Sequence, residues 1–232
     1  MKYRMKLFVA MMITAIVLSM VPASASSEDE SYVNDSQDYA LLTYDESWEI
    51  IEFGGFYWIV LDEQYDRTLV ISEKAIFARR FHQAFEAVTW ENSEIREHLN
   101  GEFLESMSPQ DQERIAVTAI TNDNNPWFGV YGGNDTSDKV FLLSIEEVVN
   151  FFGDRDELAY PLDRSLIFDY RQKRIAITTE GWLANWWLRS PGHIPMSAAF
   201  VRNDGVIVVS GVAVDDVFLS LYVRPAMWLY LH

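Results

Sequence analysis

The 232-residue sequence contains no cysteine. That absence excludes disulfides, thiolate metal centres, cysteine nucleophiles and lipid attachment at a cysteine, so the fold has to stand on its hydrophobic core. Histidine is scarce as well. His82, His98, His193 and His232 are the whole set, and no two share the i, i+4 or i, i+2 spacing that gathers a zinc or iron ion. No nucleophile-elbow motif supports a serine hydrolase. Basic residues are outnumbered, 18 Lys and Arg against 35 Asp and Glu, for a net charge of −17. Nucleic acid and anionic membrane surfaces both demand basic patches, so neither fits as a partner. Beyond the first 25 residues no apolar run is long enough to span a bilayer. There is no internal repeat.

What is present begins with an export pattern. Lys2, Arg4 and Lys6 precede an uncharged, largely apolar run from Leu7 to Val21, which Pro22 and the small residues Ala23-Ser24-Ala25 close. This order predicts a cleavable secretory signal peptide over residues 1–25. The protein is therefore expected to be secreted or cell-surface associated, with no transmembrane segment once the signal is removed. Residues 26–46 are rich in Ser, Asp, Glu, Asn and Gln with few aliphatics. They read as a disordered acidic linker, because so little apolar surface does not offset the entropy of ordering. Residues 47–232 hold enough Trp, Tyr and Phe to form one domain around one core.

Periodicity places the elements. From Glu49 to Ser72 the pattern is strand, Gly54-Gly55, strand, a polar turn over Glu63-Gln64-Tyr65-Asp66, and strand. Phe56, Trp58 and Val60 alternate with Tyr57, Ile59 and Leu61, so both faces are apolar and the strand is expected to be central. Ile95, Leu99 and Phe103 fall at helical spacing, with Thr89 or Asn92 as N-cap and Asn100-Gly101 as a stop or kink. Ser108-Pro109 with Asp111 starts a second helix. Ser144 with Glu147 makes a capping box for a third, whose buried stripe is Ile145, Val148, Val149 and Phe152. The last third returns to strands. Trp186-Trp187-Leu188 ends at Pro191-Gly192, Asn203-Asp204-Gly205 is a hairpin turn, and Leu219 to Leu231 closes the chain. The whole predicts an α+β domain in which N- and C-terminal strands share an antiparallel sheet and helices and a long loop lie between.

Five blocks in order also resemble one family: Phe53-Gly54 with Trp58-Ile59-Val60-Leu61-Asp62; Thr89-Trp90-Glu91-Asn92-Ser93 with Ile95-Arg96 and Leu99-Asn100; Asp138 to Ser144 with Glu146-Glu147; Trp186 to Gly192; and Val223-Arg224-Pro225-Ala226. They resemble bacterial domains, often secreted and without an assigned activity, that are similar to the C-type-lectin-like fold of formylglycine-generating enzymes. The resemblance spans about residues 48–232. It implies a C-type-lectin-like fold whose terminal strands pair and whose long loop region bears a ligand site. Ile59 stands where the family usually has Arg, and residues 154–180 diverge. The oxidase chemistry of the formylglycine-generating enzymes needs paired cysteines and does not carry over.

The candidate site follows from the excursion Thr121 to Lys139, which is dense in turn-formers. Asp123, Asn125, Asn134, Asp135 and Asp138 supply hard oxygens suited to calcium, but without EF-hand spacing, and plain turn chemistry is the favoured explanation of them. Trp127, Phe128 and Tyr131 are placed to stack on a sugar or a partner's side chain, or to plug the loop onto the core. Trp182, Trp187 and Arg189 complete the ligand-binding set. Trp186 and Trp187 alternate across a sheet, which puts one in the core and the other toward a groove. Arg189 and Arg224, each near a proline, serve to lock a corner or to hold an anion. Asp215-Asp216 and Glu180 are the carboxylates a glycoside hydrolase would use, but adjacent acids on a strand point to opposite faces. The expectation is a non-catalytic secreted module that binds an extracellular glycan or protein, with no cofactor apart from calcium. Its alternatives are a carboxylate-dependent hydrolase of cell-wall or polysaccharide substrates and a structural surface protein.

Overall fold

A computed structural model describes residues 48–153 and 172–231. The predicted signal peptide and acidic linker lie outside the described residues, as do residues 154–171 of the divergent stretch. Strands β1 (Ile50–Phe53) and β2 (Phe56–Gln64) form a hairpin whose turn is Gly54-Gly55, at φ +59° and +82°. Two consecutive positive φ values are the geometry that matches strand twist, and glycine reaches them without a Cβ clash. Strand β2 turns at Tyr65-Asp66 into β3 (Arg67–Ser72), and β4 (Phe77–Ala78) follows.

The helical middle section starts with a 3₁₀ turn at Trp90–Asn92 and helix α1 (Glu94–His98). Ser93 caps α1, its Oγ accepting from the Arg96 amide; neither Thr89 nor Asn92 does so. Helix α1 runs on as a π turn over Leu99–Phe103, where Gly101 leaves helical geometry and makes the expected kink. Ile95, Leu99 and Phe103 are all buried. Ser108 caps α2 (Pro109–Arg114) as expected. Then come β5 (Thr118–Ile120), β6 (Thr136–Asp138), β7 (Val140–Phe141) and α3 (Ile145–Phe152), which carries the complete Ser144–Glu147 capping box and buries the predicted stripe. The chain ends with β8 (Ala176–Ile177), β9 (Leu183–Pro191), β10 (Ser197–Val201), β11 (Ile207–Ala213), β12 (Leu221–Val223) and β13 (Ala226–Tyr230).

The domain is mixed α+β with two main sheets. The first, in the order β1-β2-β3-β13-β7, is wholly antiparallel and joins the first hairpins to the last strand. The second runs β11-β10-β9-β12-β4, with β8 on β9; its β9–β12 pair is parallel. A small pair, β5 and β6, stands apart.

The closing segment is not one strand. Arg224-Pro225 carries it from the second sheet to the first, beside the crossing from β3 to β4. Proline lacks an N–H and suits a residue that leaves a ladder. The fully buried Arg224 locks this corner. Its Nε donates to Ser72 O at 2.9 Å, and its guanidinium lies 5.1 Å from the Trp186 ring and 5.6 Å from that of Phe152. Burial pulls its pKa down to about 10, because a desolvated cation is disfavoured.

Candidate functional site

The excursion is a long hairpin loop. Strands β5 and β6 pair Thr118 with Asp138 and Ile120 with Thr136, so residues 121–135 spring from a closed neck. Asn122 tightens it by donating from Nδ2 to Asn134 O at 2.8 Å, while its amide reaches Asp135 Oδ1 at 3.2 Å. Asn124 Oδ1 accepts from the Gly132 amide. Gly132 is required at that point, because a Cβ there would stand 2.2 Å from Asp123 O and 2.3 Å from Asn122 O.

Asn125 ties the loop to the second sheet. Its Nδ2 donates to Pro191 O at 2.7 Å and to Val209 O at 2.9 Å, and its Oδ1 accepts from the amides of Trp127 (2.9 Å) and Phe128 (3.0 Å). A carboxamide can make four hydrogen bonds, and this buried one makes all four. Beyond it the loop turns Trp127 (43% exposed), Phe128 (48%) and Tyr131 (58%) toward solvent. They do not plug the core. Tyr131 OH donates to Asn134 Oδ1, and Asn134 in turn donates to Glu91. Phe128 meets His193 edge to face, with centroids 6.0 Å apart and planes at 68°. His193 donates from Nδ1 to Ser210 O at 2.7 Å, and its amide reaches the same oxygen at 2.8 Å. The histidine spacing rule passed over this residue; its place after Pro191-Gly192, at a strand end, was the available signal.

Three predicted ligand contacts do not join the exposed rings of the loop. Trp187 is fully buried and donates from Nε1 to Arg79 O at 2.8 Å; Trp186 is also buried and bonds Arg174 O. Neither faces a groove, because both faces of β9 are covered. Arg189 is buried too, its guanidinium forked onto Glu147, with Nη2 2.7 Å from Oε1, and bonded to Leu142 O. These bonds lock a corner, and Nη2 also donates to Thr121 O at 3.2 Å, at the root of the loop. Trp182 is exposed, but it precedes the nine-residue β9 whose far end leads to His193, so it stands apart from the loop.

The side chains named as calcium donors are largely engaged in hydrogen bonds of the fold. Asp138 is buried, with Oδ1 taken by Arg96 Nε at 2.7 Å and Oδ2 by Trp90 Nε1 at 2.9 Å and the Thr136 hydroxyl at 2.7 Å. Asn125 is equally spent, and Asp135 accepts from Asn122. Asp123 lies at the loop's root, on a cleft of about 290 Å³ that Thr118, Thr121, Glu146, Phe151 and Trp228 also line. Among the described residues, no group of three or more His, Asp and Glu side chains converges.

Two of the three carboxylates named for hydrolysis have local roles. Hydrogen bonds from Thr178 and Thr179 hold the exposed Glu180 carboxyl below its ordinary pKa, the reverse of what a general acid needs. Asp216 Oδ1 caps its own turn, accepting from the amides of Phe218 and Leu219.

No curated protein and no solved structure matches the chain. Residues 65–231 match the domain of unknown function DUF6273, and the chain belongs to that family.

Proposed function

We propose that this protein is a secreted, non-catalytic binding module with a C-type-lectin-like fold, which presents the 121–135 loop to an extracellular glycan or protein. One observation carries the reading: Trp127, Phe128 and Tyr131 are held toward solvent by a loop whose backbone is fixed from within by Asn125. A large ring that stays exposed on a rigid support costs little entropy when it is covered by a partner. The export pattern at residues 1–25 supports an extracellular setting. The last strand, β13, joins the sheet of the first hairpins by pairing with β3, and a long loop lies between them in the chain, which supports the lectin-like reading of the fold.

A glycan array and a pull-down with surface proteins test the proposal. The wild type should capture a ligand, and the triple variant Trp127→Ala, Phe128→Ala, Tyr131→Ala should lose it while keeping the wild-type thermal midpoint. No capture in either assay, together with measurable hydrolysis of a cell-wall polymer, would establish the hydrolase in its place.

A further inference from the structure

We propose that Phe128 and His193 form a sugar-binding corner, in which a glucose-configured pyranose lies on the Phe128 ring and donates a hydroxyl to His193 Nε2. This rests on the binding-module reading and narrows it to one ligand class.

The imidazole has a defined donor and acceptor. Ser210 O can only accept, so the His193 nitrogen 2.7 Å away, Nδ1, carries the proton. In the neutral ring the lone pair is then on Nε2, which has no hydrogen-bond partner among the described residues. The backbone amide of His193 bonds the same carbonyl, so ring and main chain are pinned together. The Phe128 ring stands at 68° to this imidazole, giving one apolar wall and one wall with an outward acceptor.

Both walls depend on Asn125. Its Oδ1 positions the Phe128 amide, and its Nδ2 holds the carbonyls of Pro191 and Val209, which flank the His193 and Ser210 segments. The corner is set before any ligand arrives, so little ordering is left to oppose binding.

The ligand chemistry follows from the walls. A guest needs a flat apolar face for Phe128 and a hydrogen-bond donor at its edge for Nε2. A pyranose with equatorial hydroxyls has both: C–H groups on its faces and O–H groups around its rim. Polar groups share the loop with Phe128: Asn124, Asn134 and the Tyr131 hydroxyl. A neutral sugar also meets no repulsion from an acidic chain.

The test uses the full chain with two probes, cellohexaose and chitohexaose, titrated by calorimetry and by ¹⁵N spectroscopy of the imidazoles. At least one probe should bind and shift the His193 Nε2 resonance. Phe128→Ala should weaken binding about tenfold or more, the effect of roughly one lost contact of hydrogen-bond strength. His193→Asn is the sharper variant. Its carboxamide nitrogen takes the place of Nδ1 and keeps the bond to Ser210 O, but nothing replaces Nε2. It should hold the wild-type thermal midpoint and still bind about tenfold more weakly. Unchanged affinity in His193→Asn, with loss in Phe128→Ala, would overturn the corner and leave the binding module standing. Binding of neither probe, with a protein ligand that depends on Phe128, would also overturn it and make the module a protein binder. Binding of nothing at all would remove both readings.

Discussion

At the scale of single residues, the side chains that looked most like ligands do the most to hold the fold. Asn125, read from sequence as a calcium donor, spends its carboxamide on four main-chain groups. Replacing it by Ala would leave buried donors and acceptors unmet, each at a cost of about 1–3 kcal/mol when water does not reach it. We expect Asn125→Ala to lose about 3 kcal/mol, or roughly 10 °C in thermal midpoint. Asn125→Asp separates the two readings. An oxygen in place of Nδ2 would face two carbonyl oxygens, so this variant should be at least as unstable as Asn125→Ala, and calcium should not rescue it. A calcium-dependent recovery of its thermal midpoint would restore the donor role. Residue type alone does not reveal this, because Asn offers the same oxygen to a metal as to an amide. Only the neighbours decide, and Pro191 and Val209 are 66 and 84 residues away in sequence.

At the scale of elements, local signals were legible and long-range ones were not. The Ser108 and Ser144 caps, the kink at Gly101 and the stripe of α3 depend on residues a few positions apart, and the structure has them as read. The β5–β6 neck that turns an apparent wandering segment into a hairpin loop pairs residues separated by the whole excursion, and neither strand exceeds three residues. Period-two alternation says that Trp186 and Trp187 face opposite ways. It does not say that both sides of β9 are packed. The Glu147 carboxylate joins the two levels, since it caps α3 through the Ser144 amide at 2.8 Å and forks onto Arg189 of β9. Glu147→Ala removes the carboxylate half of the capping box, leaving the Ser144 Oγ bond to the residue 147 amide, and strands a buried guanidinium. We expect a loss of about 3 kcal/mol in urea unfolding, and Glu147→Gln, which keeps an acceptor for the Ser144 amide, to lose less. Equal losses in the two variants would mean that the ion pair, and not the cap, accounts for the whole effect.

At the scale of the molecule, the first sheet makes the chain's two ends interdependent. The family match begins at Tyr65, yet β1 and β2 precede it, and β2 covers β3 over six paired positions from Trp58↔Ser72 to Gln64↔Arg67. Trp58 and Ile59 are buried, and Trp58 Nε1 bonds Phe53 O at 2.8 Å. Without them β3, whose Leu69, Val70 and Ile71 are buried, would become an open apolar edge, the feature that invites strand-to-strand aggregation. The N-terminal hairpin is thus part of the folding unit even though the family boundary falls after it. A chain starting at Tyr65 should be recovered as aggregate, with β13 left paired to a strand that has lost its other neighbour. A chain starting at Ser47 retains Trp48, whose ring meets Phe152 at 5.6 Å, and should unfold cooperatively at the midpoint of the longer protein. If the Tyr65 chain were instead soluble and cooperative, β1 and β2 would be an addition to the family's fold, and the joining of the two termini in one sheet would rest on β3 and β13 alone.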